Sequence, residues 1–167
     1  YYSMALEIDE NNEDLWFEKG ELHRKLKQWE EAEACYLNAT EIRYTYGEAW
    51  LKLAQMKERR DNLREAEDAY VIALELESNH GFAYLGLGRV QSKLERVKEA
   101  LKSIEKSIAL LKEDYRPYMI RGDIYFSIGD YERADAKGYS KAVNIRPDLK
   151  NGWRKLVKVY RSQDKKE

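Results

Sequence analysis

The chain has 167 residues, of which 43% are hydrophobic and 37% are charged, with 13 Tyr and 4 Trp. This much apolar material excludes an intrinsically disordered chain, and the scarcity of Pro and Gly predicts an almost wholly helical protein. A net charge of −1 excludes a general electrostatic attraction for nucleic acid or acidic membranes.

Charge is unevenly distributed along the chain. Residues 1–48 carry twelve acidic and five basic side chains, a net of −7, whereas residues 150–167 carry seven basic and two acidic ones, a net of +5. Cys35 is the only cysteine, which excludes an intrachain disulfide and suits a reducing compartment, so we expect a cytoplasmic location. No apolar run approaches the roughly 18 residues that span a bilayer, and no signal peptide is visible, so membrane insertion is not expected.

The chain starts with YYSMALEIDE, without an initiator methionine and in what reads as the interior of a helix. We therefore expect it to be a segment of a larger protein, from which a targeting signal can be missing.

Internal repetition organises the rest of the sequence. Five columns of residues recur every 34 positions. The aromatic column contains Trp16, Trp50, Tyr84 and Tyr118. The alanine column contains Ala32, Ala66, Ala100 and Ala134, and the column of small residues contains Gly20, Ala54, Gly88 and Gly122. In chain order the pattern predicts the end of a preceding repeat at 1–12, full repeats at 13–46, 47–80, 81–114 and 115–149, and a capping helix with a tail at 150–167. This organisation makes one array of about ten helices.

Each repeat contains two amphipathic segments. In LWFEKGELHRKLK the apolar residues return at helical spacing, and WEEAEACYLNATEI places Trp29, Ala32, Tyr36 and Ala39 on one stripe. Glycine or alanine at the crossing point lets two helix backbones approach closely, while the aromatics fill the volume beside them.

The fourth full repeat contains one extra residue. Tyr118 and Trp153 are 35 positions apart, where every earlier interval is 34. In a regular helix an inserted residue rotates all later side chains by about 100°, so keeping Tyr139 in the core predicts a π-type turn or bend within residues 134–139. Gly138 is then tolerated because the hydrogen-bond ladder is already distorted there.

These columns resemble the tetratricopeptide repeat, whose pattern places W, L, G and Y on the first helix and A, F/Y, A and P on the second. The resemblance implies an all-α, right-handed α-solenoid whose first helices line a concave, partner-binding groove. Equivalent positions on successive first helices then give the expected groove residues: Phe17, Glu21, Leu51, Gln55, Phe82, Leu85, Arg89, Met119, Ile120, Asp123, Phe126, Arg154 and Lys158.

An exposed apolar patch is expected among these groove residues. Its members lie in the third and fourth repeats: Phe82, Leu85, Met119, Ile120 and Phe126. Such a patch suits an extended or helical peptide, although Leu85 and Ile120 can equally fill the seam between adjacent repeats.

The basic segment KNGWRKLVKVYRSQDKKE has three interpretations. As a solvating cap, the stripe of Trp153, Leu156, Val157 and Tyr160 covers the last repeat while the basic side chains face water. A nucleic-acid surface is disfavoured because its aromatics are then not free to stack on bases. The third interpretation is attraction to the acidic N-terminal end of another copy.

The sequence thus favours a non-enzymatic scaffold that binds a protein or peptide partner in its groove. The alternative is a self-assembly element in which copies associate head to tail. No cofactor, metal or nucleic acid is expected, since His23, His80 and Cys35 have no second ligand at i+3 or i+4 and no phosphate-binding loop is present.

Overall fold

The computed structural model describes residues 9–164, and every regular element within them is a helix. The predicted all-α class is confirmed. The chain divides into two compact units, Tyr1–Asn79 and His80–Glu167. Of the predicted end of a preceding repeat at 1–12, residues 1–8 lie outside the described part and residues 9–12 form a turn.

The first unit consists of two antiparallel helix pairs. Its helices are α1 (Glu13–Lys25), α2 (Trp29–Ile42), α3 (Gly47–Arg59) and α4 (Leu63–Leu76). Helix α1 packs on α2, α3 packs on α4, and α2 also packs on α3. The core of this unit contains Tyr36 and Leu53, both almost fully buried, so the predicted aromatic stripe of the second helix faces inward.

The second unit has the same pairing with one more helix. Its helices are α5 (Gly81–Lys93), α6 (Val97–Leu110), α7 (Tyr115–Ser127), α8 and α9 (Lys150–Asp164). Helix α8 is continuous but changes type, with α-helical Tyr131–Arg133, a π-helical segment Ala134–Tyr139 and α-helical Ser140–Ile145. Helix α5 packs on α6, α7 packs on α8, and α9 packs on α8.

A common turn joins the two helices of each pair. The amides of Gln28, Asn62, Arg96 and Asp130 each donate to a carbonyl five residues back, at 2.9–3.0 Å. This is the long bond of a Schellman motif, which requires a left-handed residue just before the donor. That residue is Lys27, Asp61, Glu95 or Gly129, with φ between 60° and 75°, so only the fourth turn uses glycine.

The prediction of a π-type turn within residues 134–139 is confirmed. The backbone N–H of Ser140 donates to the carbonyl of Asp135, five residues earlier, and the carbonyl of Lys137 turns to the Arg121 side chain. Arg121 donates to it from Nε at 2.9 Å and from Nη2 at 2.5 Å. The extra residue is therefore absorbed by a widened turn whose displaced carbonyl has a side-chain donor.

Gly138 has a different role from the one expected. A Cβ at this position would lie 2.3 Å from Gly122 Cα and 2.7 Å from Gly122 N. Because those atoms belong to the backbone of α7, glycine is required by the close crossing of α7 and α8 and is not merely tolerated. Cys35, Ala69 and Ser103 occupy the equivalent position in the earlier repeats and are also small and buried.

None of the helices within residues 9–164 has both the length and the apolar character that crossing a membrane requires.

Candidate functional site

Three first helices, α5, α7 and α9, form a continuous set in the second unit. Helix α5 contacts α7 directly, and α9 reaches α7 through Lys155, which forms an ion pair with Asp123, and through Lys158, which lies over Phe126. We call the side chains that these helices present together the first-helix surface of the second unit: Phe82, Arg89, Arg116, Ile120, Asp123, Phe126, Lys155 and Lys158.

Two pairs of an aromatic ring and a cation bridge neighbouring helices on this surface. The Arg116 guanidinium lies 4.8 Å from the centre of the Phe82 ring, and Lys158 Nζ lies 4.8 Å from the centre of the Phe126 ring. Both distances lie within the range of cation–π attraction. Asp114, the N-cap of α7, accepts from the Arg116 guanidinium at 2.5 Å and thereby positions it over Phe82.

Phe82 is the most open apolar group of this surface, with 42% of its residue area exposed. It lies one residue after Gly81, the first residue of α5, and near the N-cap His80, whose ring centre is 6.3 Å away. Phe126 is half-buried because Tyr131 packs against it at 5.1 Å between ring centres. The surface therefore offers one exposed and one half-buried aromatic ring.

Asp123 is the only carboxylate among the eight residues of this surface, and it already has partners. It accepts a hydrogen bond from the Tyr139 hydroxyl at 2.7 Å and pairs with Lys155. Burial, with the Asp123 hydrogen bond, raises the pKa of the Tyr139 hydroxyl well above its usual value, so the hydroxyl remains a donor. Asp123 thus links α7, α8 and α9 and is less available to a partner than predicted.

The first unit contains the same arrangement of tyrosine, acid and lysine. Tyr36 donates to Glu21 at 2.6 Å, and Lys52 lies 3.4 Å from the same oxygen. Burial raises the pKa of the Glu21 carboxyl, but hydrogen bonds from Arg24 and Tyr36 and the charge of Lys52 outweigh burial and lower it to about 2. Lys52 and Lys155 occupy equivalent positions once the inserted residue is counted.

The first helices of the first unit present a polar surface. Phe17 is 7% exposed and packs against Tyr36 and Tyr46, and Leu51 is 6% exposed. Gln55 is half-buried, and Lys52 reaches Glu48 as well as Glu21. The two apolar side chains predicted to line a groove here are core residues.

The predicted exposed apolar patch of the second unit is wrong for Met119, and of the two alternatives left open for Leu85 the buried one applies. Leu85 and Met119 are buried, the first with Ile104 and Ile124 and the second with Tyr139. Their shared position on the first helix faces the neighbouring helices and not solvent. Leu85 therefore fills the seam between repeats; Ile120 is partly buried against the same core cluster, while Phe82 and Phe126 keep open surface.

The predicted capping stripe of α9 is also wrong in part. Leu156 is buried, as expected, but it is joined by Val159 and Gly152, whereas Trp153, Val157 and Tyr160 are each about half exposed at 52%, 48% and 48%. Trp153 and Tyr160 are therefore open to solvent and not, as expected, buried in the repeat core. Its basic side chains also differ, since Lys155 is ion-paired while Arg154, Lys158 and Arg161 are exposed.

Trp153 is held by a contact that recurs with the repeat. Its indole N–H donates to the carbonyl of Pro147 at 2.8 Å, six residues earlier. Trp16 and Trp50 make the same bond to Glu10 and Tyr44, at 2.8 and 2.7 Å. The tryptophan of the repeat column thus fastens the start of a first helix to the preceding turn.

The histidines and the cysteine have structural contacts. His23 Nδ1 lies 2.7 Å from Gln28 Oε1, His80 accepts from the Ala83 amide at 3.2 Å, and Cys35 is buried. In the described part of the chain, no group of three or more His, Cys, Asp or Glu side chains could hold a metal ion.

Comparisons with known proteins agree on the fold. A family model described as tetratricopeptide repeat matches residues 13–46, 83–110 and 115–149, more than half of the chain. A search of curated proteins finds no match.

Solved structures resemble the chain at low identity. The MamA protein gives a TM-score of 0.82 at 19% identity, covering 91% of this chain and 82% of that one. YrrB, described as a TPR protein with an unusual peptide-binding site, gives 0.79 at 20%, covering 99% and 85%. The APC/C hetero-tetramer Cut9-Hcn1 gives 0.81 at 19%, covering 97% and 32%. At these identities the likeness establishes the fold.

Proposed function

Because the chain belongs to the tetratricopeptide repeat family, we propose that it is a non-enzymatic scaffold that binds a protein or peptide partner on the first-helix surface of its second unit. The observation that carries the proposal is the exposed Phe82 ring paired with Arg116 across two neighbouring first helices. An open aromatic ring beside a planar cation is the kind of anchor that dominates protein interfaces.

The energetics of such a surface suit a peptide. Fully burying one large apolar side chain contributes about 1.5–3 kcal/mol, so Phe82 and the open edge of Phe126 are sufficient anchors for a moderate affinity. Arg89 and Lys158 lie at equivalent first-helix positions, and Ile120 lies three residues before the matching position on α7. They supply polar and apolar contacts beside the two rings. The first unit is a weaker candidate because Phe17 and Leu51 are buried.

The likeness to YrrB is consistent with this proposal, because that protein is described as having a peptide-binding site. The acid on the surface does not suggest catalysis, since Asp123 is held by Tyr139 and Lys155. We therefore propose binding without chemistry.

A random peptide library selected against the intact chain tests the proposal. Selected peptides are labelled and titrated by fluorescence anisotropy against the wild type, Phe82→Ala and Ile145→Ala. Ile145 lies at the end of α8 and is 37% exposed, close to the 42% of Phe82, so it controls for loss of exposed apolar area. We expect Phe82→Ala to weaken binding about tenfold or more and Ile145→Ala to have little effect; equal affinities of all three proteins would exclude this surface.

Head-to-tail self-association is the second candidate, and the charge of the two units favours it. Residues 1–79 contain 10 basic and 19 acidic side chains, a net of −9, and residues 80–167 contain 20 and 12, a net of +8. Opposite net charges attract at low ionic strength and are screened at high salt. Sedimentation velocity at low and high salt decides the matter, because a concentration-independent monomer at low salt excludes self-association.

A further inference from the structure

We infer that a basic stripe on α9, formed by Arg154, Lys158 and Arg161, binds an acidic segment of a partner protein that also inserts an apolar side chain beside Phe126. The inference rests on the proposed function, since Lys158 and Phe126 belong to the same surface, and it specifies the chemistry of the partner.

Spacing places the three cations on one side of the helix. They stand at i, i+4 and i+7, which align along an α-helix, and all three are exposed. Inward-facing Leu156 and Val159 lie on another side of α9 and are buried. The stripe is therefore a continuous ridge of positive charge on α9, and the buried side of the same helix holds α9 in place.

These cations differ from most arginines of the second unit in their lack of acidic partners. Five arginines have carboxylate partners there: Arg96, Arg116, Arg121, Arg133 and Arg146. Among residues 9–164, by contrast, Arg154, Lys158 and Arg161 have no ion pair. Their charges are not offset locally and are available to an external carboxylate.

Apolar surface adjoins the ridge at one point. Lys158 Nζ lies over the Phe126 ring, which rests on Tyr131 and keeps part of its area open. A carboxylate that pairs with Lys158 is therefore brought next to an aromatic edge. An acidic segment with a large apolar residue among its carboxylates matches this combination, whereas a purely acidic one leaves the aromatic edge exposed.

The net charge of +8 on residues 80–167 extends the preference beyond the three contacts. A positive field of this kind raises the association rate of an acidic partner and repels a basic one. This positive field attracts any polyanion, so the choice between an acidic peptide and a nucleic acid depends on the aromatic side chains near the stripe.

The exposed aromatics of α9 favour a peptide. Single-stranded nucleic acid is bound by aromatic rings that stack on bases beside the cations that hold the phosphates. Trp153 and Tyr160 instead stand one residue before Arg154 and Arg161, which places them about 100° around the helix from the stripe. Lys158 lies over the face of the Phe126 ring. A ligand can therefore contact the edge of this ring but cannot stack a base on the covered face.

The probe is a fluorescein-labelled peptide made of three Glu-Glu-Phe-Gly units, titrated by anisotropy against the full chain. The comparison probes are the same peptide with Ser in place of Phe, the same peptide with Lys in place of Glu, and a labelled oligouridine of equal length. We expect the Glu-Glu-Phe-Gly peptide to bind most tightly and to weaken as salt is raised.

Two triple variants separate the stripe from the overall charge. The test variant is Arg154→Gln, Lys158→Gln and Arg161→Gln; the control is Lys98→Gln, Lys102→Gln and Lys141→Gln, three exposed lysines of α6 and α8. Both remove three positive charges from the second unit. We expect the test variant to bind the acidic peptide about tenfold more weakly, as the loss of three exposed charge contacts implies, and the control to lose much less.

Each other result overturns the inference in a defined way. Equal losses in the two variants would show attraction by net charge alone, tighter binding of oligouridine would assign the ridge to nucleic acid, and equal binding of the Ser peptide would remove the role of Phe126. If library-selected peptides still depend on Phe82 while the acidic peptide ignores the stripe, the proposed function stands and this inference fails.

Discussion

Single residues in this protein are constrained mainly by how closely helices cross. Gly138 and Gly122 allow α7 and α8 to approach until a Cβ on Gly138 would lie 2.3 Å from the opposing Cα. The counterparts Cys35, Ala69 and Ser103 have side chains of a few atoms, so the fourth repeat has the tightest requirement at this position. Gly122 belongs to the column of small residues that recurs every 34 positions, but the need for glycine at position 138 depends on the backbone that lies opposite it.

We predict that Gly138→Ala destabilises the protein. Helix propensity alone would make alanine better by about 1 kcal/mol, but overpacking against backbone costs about 1–3 kcal/mol, so the sign is reversed. Urea unfolding measures the change. Gly47→Ala is the control, because its Cβ would meet only Leu76 Cβ at 3.5 Å; a Gly138→Ala protein as stable as this control would contradict the close crossing.

A second prediction at this scale concerns Glu21. Its pKa is about 2 in the folded chain against 4.5 ordinarily, so its ionised form stabilises the fold above pH 4.5, and the contribution disappears as the pH falls from about 4.5 to about 2. The difference in unfolding free energy between the wild type and Glu21→Gln should shrink over that interval. Glu18→Gln, an exposed carboxylate on the same helix, controls for removal of one charge; a pH-independent difference for Glu21 would contradict the assignment.

At the scale of elements, the turns within the helix pairs place non-glycine residues in a backbone conformation that favours glycine. Three of the four turns within helix pairs place Lys27, Asp61 or Glu95 in the left-handed conformation that glycine adopts without a steric penalty. The Schellman bond imposes this conformation because the chain must reverse within two residues. Few glycines in the sequence therefore do not mean few left-handed turn positions, and three of these turns would be more stable with glycine.

We predict that Lys27→Gly and Glu95→Gly each stabilise the protein by about 0.5–1 kcal/mol, since the strain of a left-handed L-residue is relieved. Lys25→Gly, two positions earlier and within α1, should instead destabilise by up to about 1 kcal/mol. Gly129→Ala should also destabilise. Urea unfolding compares the four proteins, and a loss of stability in both Lys27→Gly and Glu95→Gly would contradict the turn geometry.

The π segment of α8 depends on a side chain from another helix. Arg121 is 9% exposed, donates twice to the Lys137 carbonyl and pairs with Glu105 at 2.7 Å. No pattern within residues 134–139 identifies this donor, because it lies sixteen positions earlier. The insertion could be located from the sequence, whereas the group that satisfies its freed carbonyl could not.

We predict that Arg121→Met destabilises the protein by about 1–3 kcal/mol, because it leaves the displaced carbonyl without its donor. Arg133→Met removes an exposed arginine that pairs with Asp130 and should cost less. Unfolding in urea gives both values, and amide hydrogen exchange of Ser140 shows whether the π turn opens. Equal stability of the two variants would mean that Arg121 does not hold the turn.

For the molecule as a whole, the segregation of charge is the main electrostatic feature. The net charge of −1 is the sum of −9 for the first unit and +8 for the second. The absence of a general attraction for nucleic acid or acidic membranes, expected from the net charge, therefore holds for the whole chain and not for the second unit. Partner choice depends on local potential, which falls off over about 10 Å at 0.1 M ionic strength.

We predict that charged paramagnetic probes distinguish the two units. An anionic nitroxide should enhance amide relaxation more in residues 80–164, and a cationic one more in residues 9–79, with an uncharged nitroxide as the reference. The contrast should largely vanish at 1 M salt, where the screening length is about 3 Å. Uniform enhancement by both probes at low salt would show that the charges do not create separate fields.

The repeat family, the helix pairs and the position of the π turn could be predicted from the sequence because each depends on a periodic pattern along the chain. Only the tertiary structure separated the exposed Phe82 from the buried Leu85 and Met119, since all three are apolar first-helix residues and their exposure depends on what packs beside each of them. It likewise paired Lys155 with Asp123, 32 residues away. Periodicity determines which side of a helix a residue occupies, while exposure and charge pairing depend on neighbouring helices that the pattern does not describe.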